Sequence, residues 1–340
     1  MIRALEPPGI LPPPRTPRLP AGPLAAGLAR VLPPLLLAVV ALLGIRLIAD
    51  GDVWWHLKTG EVFFQQRSFP DHDPFVFTAG EDRWIIRAWL TEVVFYLVFR
   101  AAGHAGLTLF KTALFTLAVG LLWRLGVALE SPGPATAMIL LLASLTASPR
   151  LAERPETVSF LLLAATLAIL LRGAGGRGAY LLVPLQVVWA NVHSSFFVGL
   201  LLPWPFLVDA AWQRLRGGGR ATDGERPLPV LPLLLAALLL WPASALTPPG
   251  IRLVLYPLHM ARMPSLALID EVRGLVTILR ACPSCLEEGI AFLILALGAL
   301  AVVGLQARAG RGAGPGTWAL LAGAAEIGRA SCRERVYVLV

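Results

Sequence analysis

Three short strings hold the residue types that could do transfer chemistry. "DGDVWWH" sets Asp50, Asp52, Trp54, Trp55 and His56 within one turn-length segment; "SPRLAERPET" supplies Arg150, Arg154 and Glu156; "WANVH" supplies Asn191 and His193. A carboxylate at a membrane surface acts as a general base toward an acceptor hydroxyl or amine. A second carboxylate beside it can hold a divalent cation, which takes oxygen ligands. Arginines clamp a phosphate or pyrophosphate leaving group through forked donors. Trp54, Trp55 and Trp84 suit a sugar face or the lipid headgroup zone. Together the set fits transfer of a group from a polyprenyl-phosphate donor. Each residue alone is also explained as a solvated loop charge, as Arg67, Glu81 and Asp82 are.

The elements that must position these groups are apolar. The chain has 340 residues, of which 56% are hydrophobic and only 15% charged. Soluble domains carry roughly 25% charged residues. The deficit falls in repeated apolar runs, some near the length that crosses a bilayer, about 17–25 residues. A polytopic, all-α transmembrane bundle is the expected fold. A net charge of +8 would suggest nucleic acid in a soluble protein. Here it follows from Arg-rich cytoplasmic loops, so the expected partner is the lipid bilayer and not nucleic acid.

Residues 1–30 are basic and Pro-rich and read as a disordered cytoplasmic arm. The first span is predicted over Val31–Ile48, with Arg3, Arg15, Arg18 and Arg30 before it. A long polar outer loop follows, from about Asp50 to Arg87. "RAWLTEVVFYLVFRAAG" carries Glu92 and is predicted to be an interfacial helix. Further spans are predicted at Leu107–Leu129, Ala135–Ser148, Val158–Leu171, Tyr180–Ala190, Phe196–Ala211, Leu228–Leu246 and Ile290–Leu305. If the Glu92 helix does not cross, the Arg-dense loops "RGAGGRG", "QRLRGGGRATDGER" and "QARAGRG" all fall inside. The four chemistry-bearing segments then share the outer face: the Asp50 loop, "SPRLAERPET", "NVHSS" and "TPPGIRLVLYPL…CPSCLEE". Ionisable groups at membrane depth are costly and by default suggest function.

With these residues in place, the pattern resembles the GT-C superfamily of membrane glycosyltransferases. "DGDVWWHLKTGEVFF" matches that family's acidic site after the first span, and "RPETVSFLLLAA" its second acidic site. More closely, the chain resembles a group of bacterial multi-spanning proteins with a D-x-D-x-W-W-H-x-x-T-G signature. "WANVHSSFFVG" matches their W-x-N-x-H segment. "TPPGIRLVLYP" departs from their N-P-x-G-like segment at Thr247. The resemblance covers most of Val31–Leu305. It implies juxtamembrane helices in the first outer loop and sugar transfer from a lipid-linked donor at the outer face of the bacterial inner membrane. Carried over, Asp52 is the general base or a metal ligand, with Asp50 a near-equal alternative, and Glu156 is the second acid. Arg150 and Arg154 bind donor phosphate, and His56 and His193 orient donor or acceptor. Asn191, Trp54 and Trp55 join the substrate-binding set. The cofactor expected is a divalent cation, Mg²⁺ or Mn²⁺, on Asp52 and Glu156.

Two other classes compete. A transporter or flippase would need polar groups near the bilayer midplane, and no internal repeat is seen. A non-catalytic scaffold would keep the fold without the chemistry. Cys282 and Cys285 form "CPSC", either a local disulfide or two thiols. "EIGRASCRERV" (Glu326–Val336, including Cys332) back-translates to a string like a sequencing adapter. Residues 326–340 are therefore set aside, residues 31–325 are read as the transmembrane domain, and the native protein is expected to be longer.

Overall fold

The computed structural model describes residues 23–46, 48, 50–70, 72–75, 84–172, 176–215 and 230–260. Cys282, Cys285, Cys332, the span expected at Ile290–Leu305 and the tail from Glu326 lie outside the described residues. Every regular element among the described residues is helical.

The first helix, α1 (Pro23–Gly44), starts upstream of the expected Val31 and stops short of Ile48. Its 22 residues extend about 33 Å at ~1.5 Å per residue, enough to cross a hydrocarbon core of about 30 Å. Only 17% of its apolar stretch Gly27–Gly44 is buried. Leu28, Val31, Leu35 and Leu42 lie exposed on it. Its length and apolar composition make α1 a candidate membrane-spanning helix. The 40-residue α3 (Trp89–Ala128) is the second helix long and apolar enough to cross.

The outer loop expected from Asp50 to Arg87, in which the resemblance implies juxtamembrane helices, contains a helix, α2 (Asp52–Gln66). Its buried positions Val53, Leu57, Gly60 and Phe63 recur every three or four residues, one face of a helix. Asp50 Oδ1 accepts the backbone N–H of Asp52 at 3.0 Å, satisfying one of the donors that a helix start leaves open. Asp52 in the first turn also suits the positive end of the helix.

The helices predicted around Glu92 and over Leu107–Leu129 are joined within α3. They are parted at Gly103, where φ is 60° and ψ −150°, a backbone geometry open mainly to glycine. Four helices follow: α4 (Gly133–Ala147), α5 (Glu156–Arg172), α6 (Leu182–Val192) and α7 (Phe196–Leu201). The span expected over Phe196–Ala211 is interrupted at Leu202, and α8 (Pro203–Leu215) continues it. Proline has no N–H to donate into a continuing helix. Next are α9 (Val230–Ser244) and α10 (Ile251–Met260). At 15 residues each, α4 and α9 reach only about 22 Å.

α3 is the hub. Its first half packs with α2 around Val53, Leu57, Phe95 and Leu107. Its second half packs with α1 and α4 around Val40, Phe115, Val119 and Leu140. Helices α5 to α10 close a larger core around Trp189, Phe196, Leu233 and Leu240.

The α2–α3 seam depends on Gly60. A Cβ there would strike the backbone carbonyl of Glu92. Two helix backbones that touch cannot yield as a side-chain tip would. Gly60→Ala is expected to cost about 1–3 kcal/mol. A thermal melt of the variant matching wild type would show that the seam opens freely.

Candidate functional site

The site forms where the end of α1, the start of α2, the first half of α3 and the α4–α5 turn meet. Arg154 is the knot. Its Nε and Nη2 donate to the two carboxylate oxygens of Asp50, and Nη2 also lies 2.8 Å from Asp52 Oδ2. Asp50 is mostly enclosed and Asp52 mostly exposed, with 16% and 62% of their side-chain surfaces accessible. Burial alone would raise the Asp50 carboxyl. The Arg154 hydrogen bonds, the Asp52 N–H and the nearby charges of Arg154 and His56 outweigh it and hold Asp50 below the ordinary carboxylate value. Arg150 lies 3.5 Å from Glu156, so the second expected acid also faces an arginine.

His56 sits one turn further along α2. Its Nδ1 is 3.0 Å from Glu92 Oε1, and Glu92 is buried. His193 lies beyond, in the link between α6 and α7. Its Nδ1 accepts the Ser195 backbone N–H at 3.2 Å and contacts Ser195 Oγ at 2.7 Å. Ser195 Oγ donates to Ser159 Oγ, and the Trp189 indole N–H points at both hydroxyls. The residue keeps part of its surface, but protein atoms close in its ring. Burial first, then the charges of Arg87, of His56 when protonated, and of Arg150 and Arg154, push the imidazole down to about 3. These same influences place His193 within electrostatic reach of three arginines.

Asn191 is fully engaged inside the protein. Its Oδ1 accepts the Trp89 indole N–H at 2.6 Å, and its Nδ2 donates to the carbonyls of Val187 and Leu246. It staples α3, α6 and the end of α9 together. Trp54 packs edge-on to Phe99 and His104, while Trp55 lies against Phe75. A cleft of about 850 Å³ opens beside them, lined by Arg46, Asp50, Trp54, His104 and Thr108 with apolar Ile45, Ile48 and Leu109. Its mixed lining matches an amphiphile with a polar head.

No family model, curated protein or solved structure matches the chain. The chemistry is therefore argued from the geometry alone. The structure brings Asp50, Asp52, Arg154, His56 and His193 into one electrostatic neighbourhood, with Arg150 and Glu156 paired on the same turn. Among the described residues, no group of three His, Cys, Asp or Glu side chains is placed to hold a metal. Asp52 and Glu156 each face an arginine, which competes with a cation for the same oxygens. The divalent cation thus draws no support from the donor set.

Three participants were not marked in the sequence. Glu92 was placed on an interfacial helix with no role, and it holds His56. Arg87 lies over the Tyr256 ring at 5.3 Å from its centroid and donates to the Tyr256 hydroxyl, joining α10 to the site. Lys111 pairs with Glu153 at 2.6 Å, both with 2% of the side chain accessible. Thr108, on the cleft wall, donates to the same Glu153. Lys111 is the lone charge in the second half of α3 before Arg124, which was the available signal.

Proposed function

We propose that the chain is a multi-pass membrane glycosyltransferase that moves a sugar from a polyprenyl-phosphate-linked donor. It acts at the outer face of a bacterial inner membrane, with its N-terminus in the cytoplasm. The observation that carries this reading is the knot of Asp50, Asp52 and Arg154, which joins the end of α1 to the α4–α5 turn across 104 residues of sequence. It sets Asp50 in the wall of a cleft whose lining mixes polar and apolar side chains. Arg154 and Arg150 supply forked donors for the leaving phosphate. The carboxylates favour the positive charge that grows on the sugar as the bond to phosphate breaks. Trp54 lines the same cleft, and its ring suits a sugar face or a headgroup.

The test is release of polyprenyl phosphate from a panel of lipid-linked sugars by the full chain in lipid nanodiscs. Wild type is expected to release it, and Asp52→Asn to fall by roughly 10²–10³ in rate while remaining folded. No release by wild type from any donor would sink the transferase reading. Equal release by both would keep a transferase and remove Asp52 from its chemistry.

One observation favours a second reading, a transporter or flippase of lipid-linked saccharides. Lys111 lies about 12 Å along α3 from the Gly103 break, and a buried ion pair at such depth marks translocation paths in membrane proteins. Movement of a labelled lipid-linked saccharide across liposomes, without release of polyprenyl phosphate, would favour it.

A further inference from the structure

We propose that His56, held by Glu92, takes the proton from the acceptor in the transfer reaction, in place of either aspartate. This inference rests on the transferase reading. Asp50 and Asp52 both accept from Arg154. Against its burial, that pairing holds Asp50 below the ordinary carboxylate value, and Asp52 Oδ2 is engaged by Arg154 Nη2 at 2.8 Å. His193 is also unsuited, because its Nδ1 is occupied by the Ser195 N–H and its ring is closed in.

His56 differs from all three. An ionised carboxylate only accepts, so Glu92 Oε1 requires the proton of a neutral His56 on Nδ1. The other nitrogen, Nε2, then carries the lone pair. Glu92 is buried, and its backbone lies against α2 at Gly60, so the carboxylate that holds the imidazole sits on the packed α2–α3 seam. The His56 side chain itself keeps 20% of its surface, so small molecules can reach it. Glu92 on α3 holds His56 directly, and Asp50 before α2 and His193 beyond α6 lie within its electrostatic reach.

The acceptor hydroxyl oxygen forms a bond to the anomeric carbon of the sugar. The bond from that carbon to the phosphate oxygen breaks, and its electron pair leaves with polyprenyl phosphate. The hydroxyl proton passes to His56 Nε2 and later to solvent. Glu92 is a positioning residue, since it acts through His56 and stabilises the imidazolium that forms.

The experiment measures polyprenyl phosphate release by wild type, His56→Gln, His56→Ala and Glu92→Gln in nanodiscs. His56→Gln retains an N–H to give Glu92 and so preserves the contact. It is expected to lose about 10²–10⁴-fold in rate, the usual share of general base catalysis. The ionisation that governs the wild-type pH–rate profile should vanish from its profile. Added imidazole should restore part of the activity of His56→Ala, and Glu92→Gln should lose less than His56→Gln. If wild type releases the lipid and His56→Gln matches it in rate or pH profile, the base is not His56. Loss of rate without imidazole rescue, with the wild-type ionisation retained, would also overturn the proposal. A wild type that releases nothing from any donor fails the transferase reading, and the base assignment falls with it.

Discussion

Lys111→Met is expected to destabilise the protein by about 3–5 kcal/mol, the cost of leaving Glu153 charged and alone in the interior. Lys111 and Glu153 are among the most enclosed side chains in the structure and lie 2.6 Å apart. The attraction between them is offset by the loss of water around both charges, so the pair adds little net stability. Removing one partner exposes the whole desolvation cost of the other. The double variant Lys111→Met with Glu153→Leu removes both charges at similar volume and should recover most of the loss. Thermal unfolding in detergent or nanodiscs reads both effects. Single and double variants melting alike would mean that the pair is hydrated.

Acid is expected to unfold the protein through His193. Its folded value is lowered to about 3 from 6.5, so the unfolded chain takes up a proton that the folded protein refuses. The stability linked to His193 is whole above pH 6.5, and it falls as pH drops from there toward 3. One proton changes stability by at most about 1.4 kcal/mol per pH unit. Asp50 works in the same sense further down, because its lowered carboxyl loses its contribution only as pH falls below 3.8. The two can be separated by their windows. His193→Gln should flatten the loss of melting temperature between pH 6 and 4 relative to wild type. An unchanged slope would show that His193 protonates without disturbing its contacts with Ser195.

Much of the helical architecture was legible because apolar runs and their breaks are local signals. The runs near Leu107, Ala135 and Val158 correspond to helices within a few residues. A helix in the first outer loop follows from the resemblance, but its bounds do not. The charges of "DGDVWWHLKTGE" suggest a loop, while Val53, Leu57, Gly60 and Phe63 keep a helical period. The two-helix architecture around Glu92 was anticipated, and its joint falls at Gly103.

The site was legible to a different extent. Arginine placement put the Asp50 and Arg154 segments on one side of the chain, but not in contact. Which carboxylate meets which cation is set by three-dimensional packing. His56 and Glu92 are 36 residues apart, and Trp89 and Asn191 are 102 apart. No local spacing carries such pairs. Asn191 was singled out for a substrate, and the structure gives its polar atoms protein partners that tie three elements together.

The Lys111–Glu153 pair also bears on how the chain is made. Glu153 leaves the ribosome about 42 residues after Lys111, some 2–8 s later at ~5–20 residues per second. Through that interval α3 carries an uncompensated ammonium. On the membrane reading, α3 cannot settle fully into lipid until the α4–α5 turn has been synthesised. The same turn brings Arg154 to Asp50. Completion of the hub helix and formation of the Asp50–Arg154 knot are thus timed to one short stretch of nascent chain.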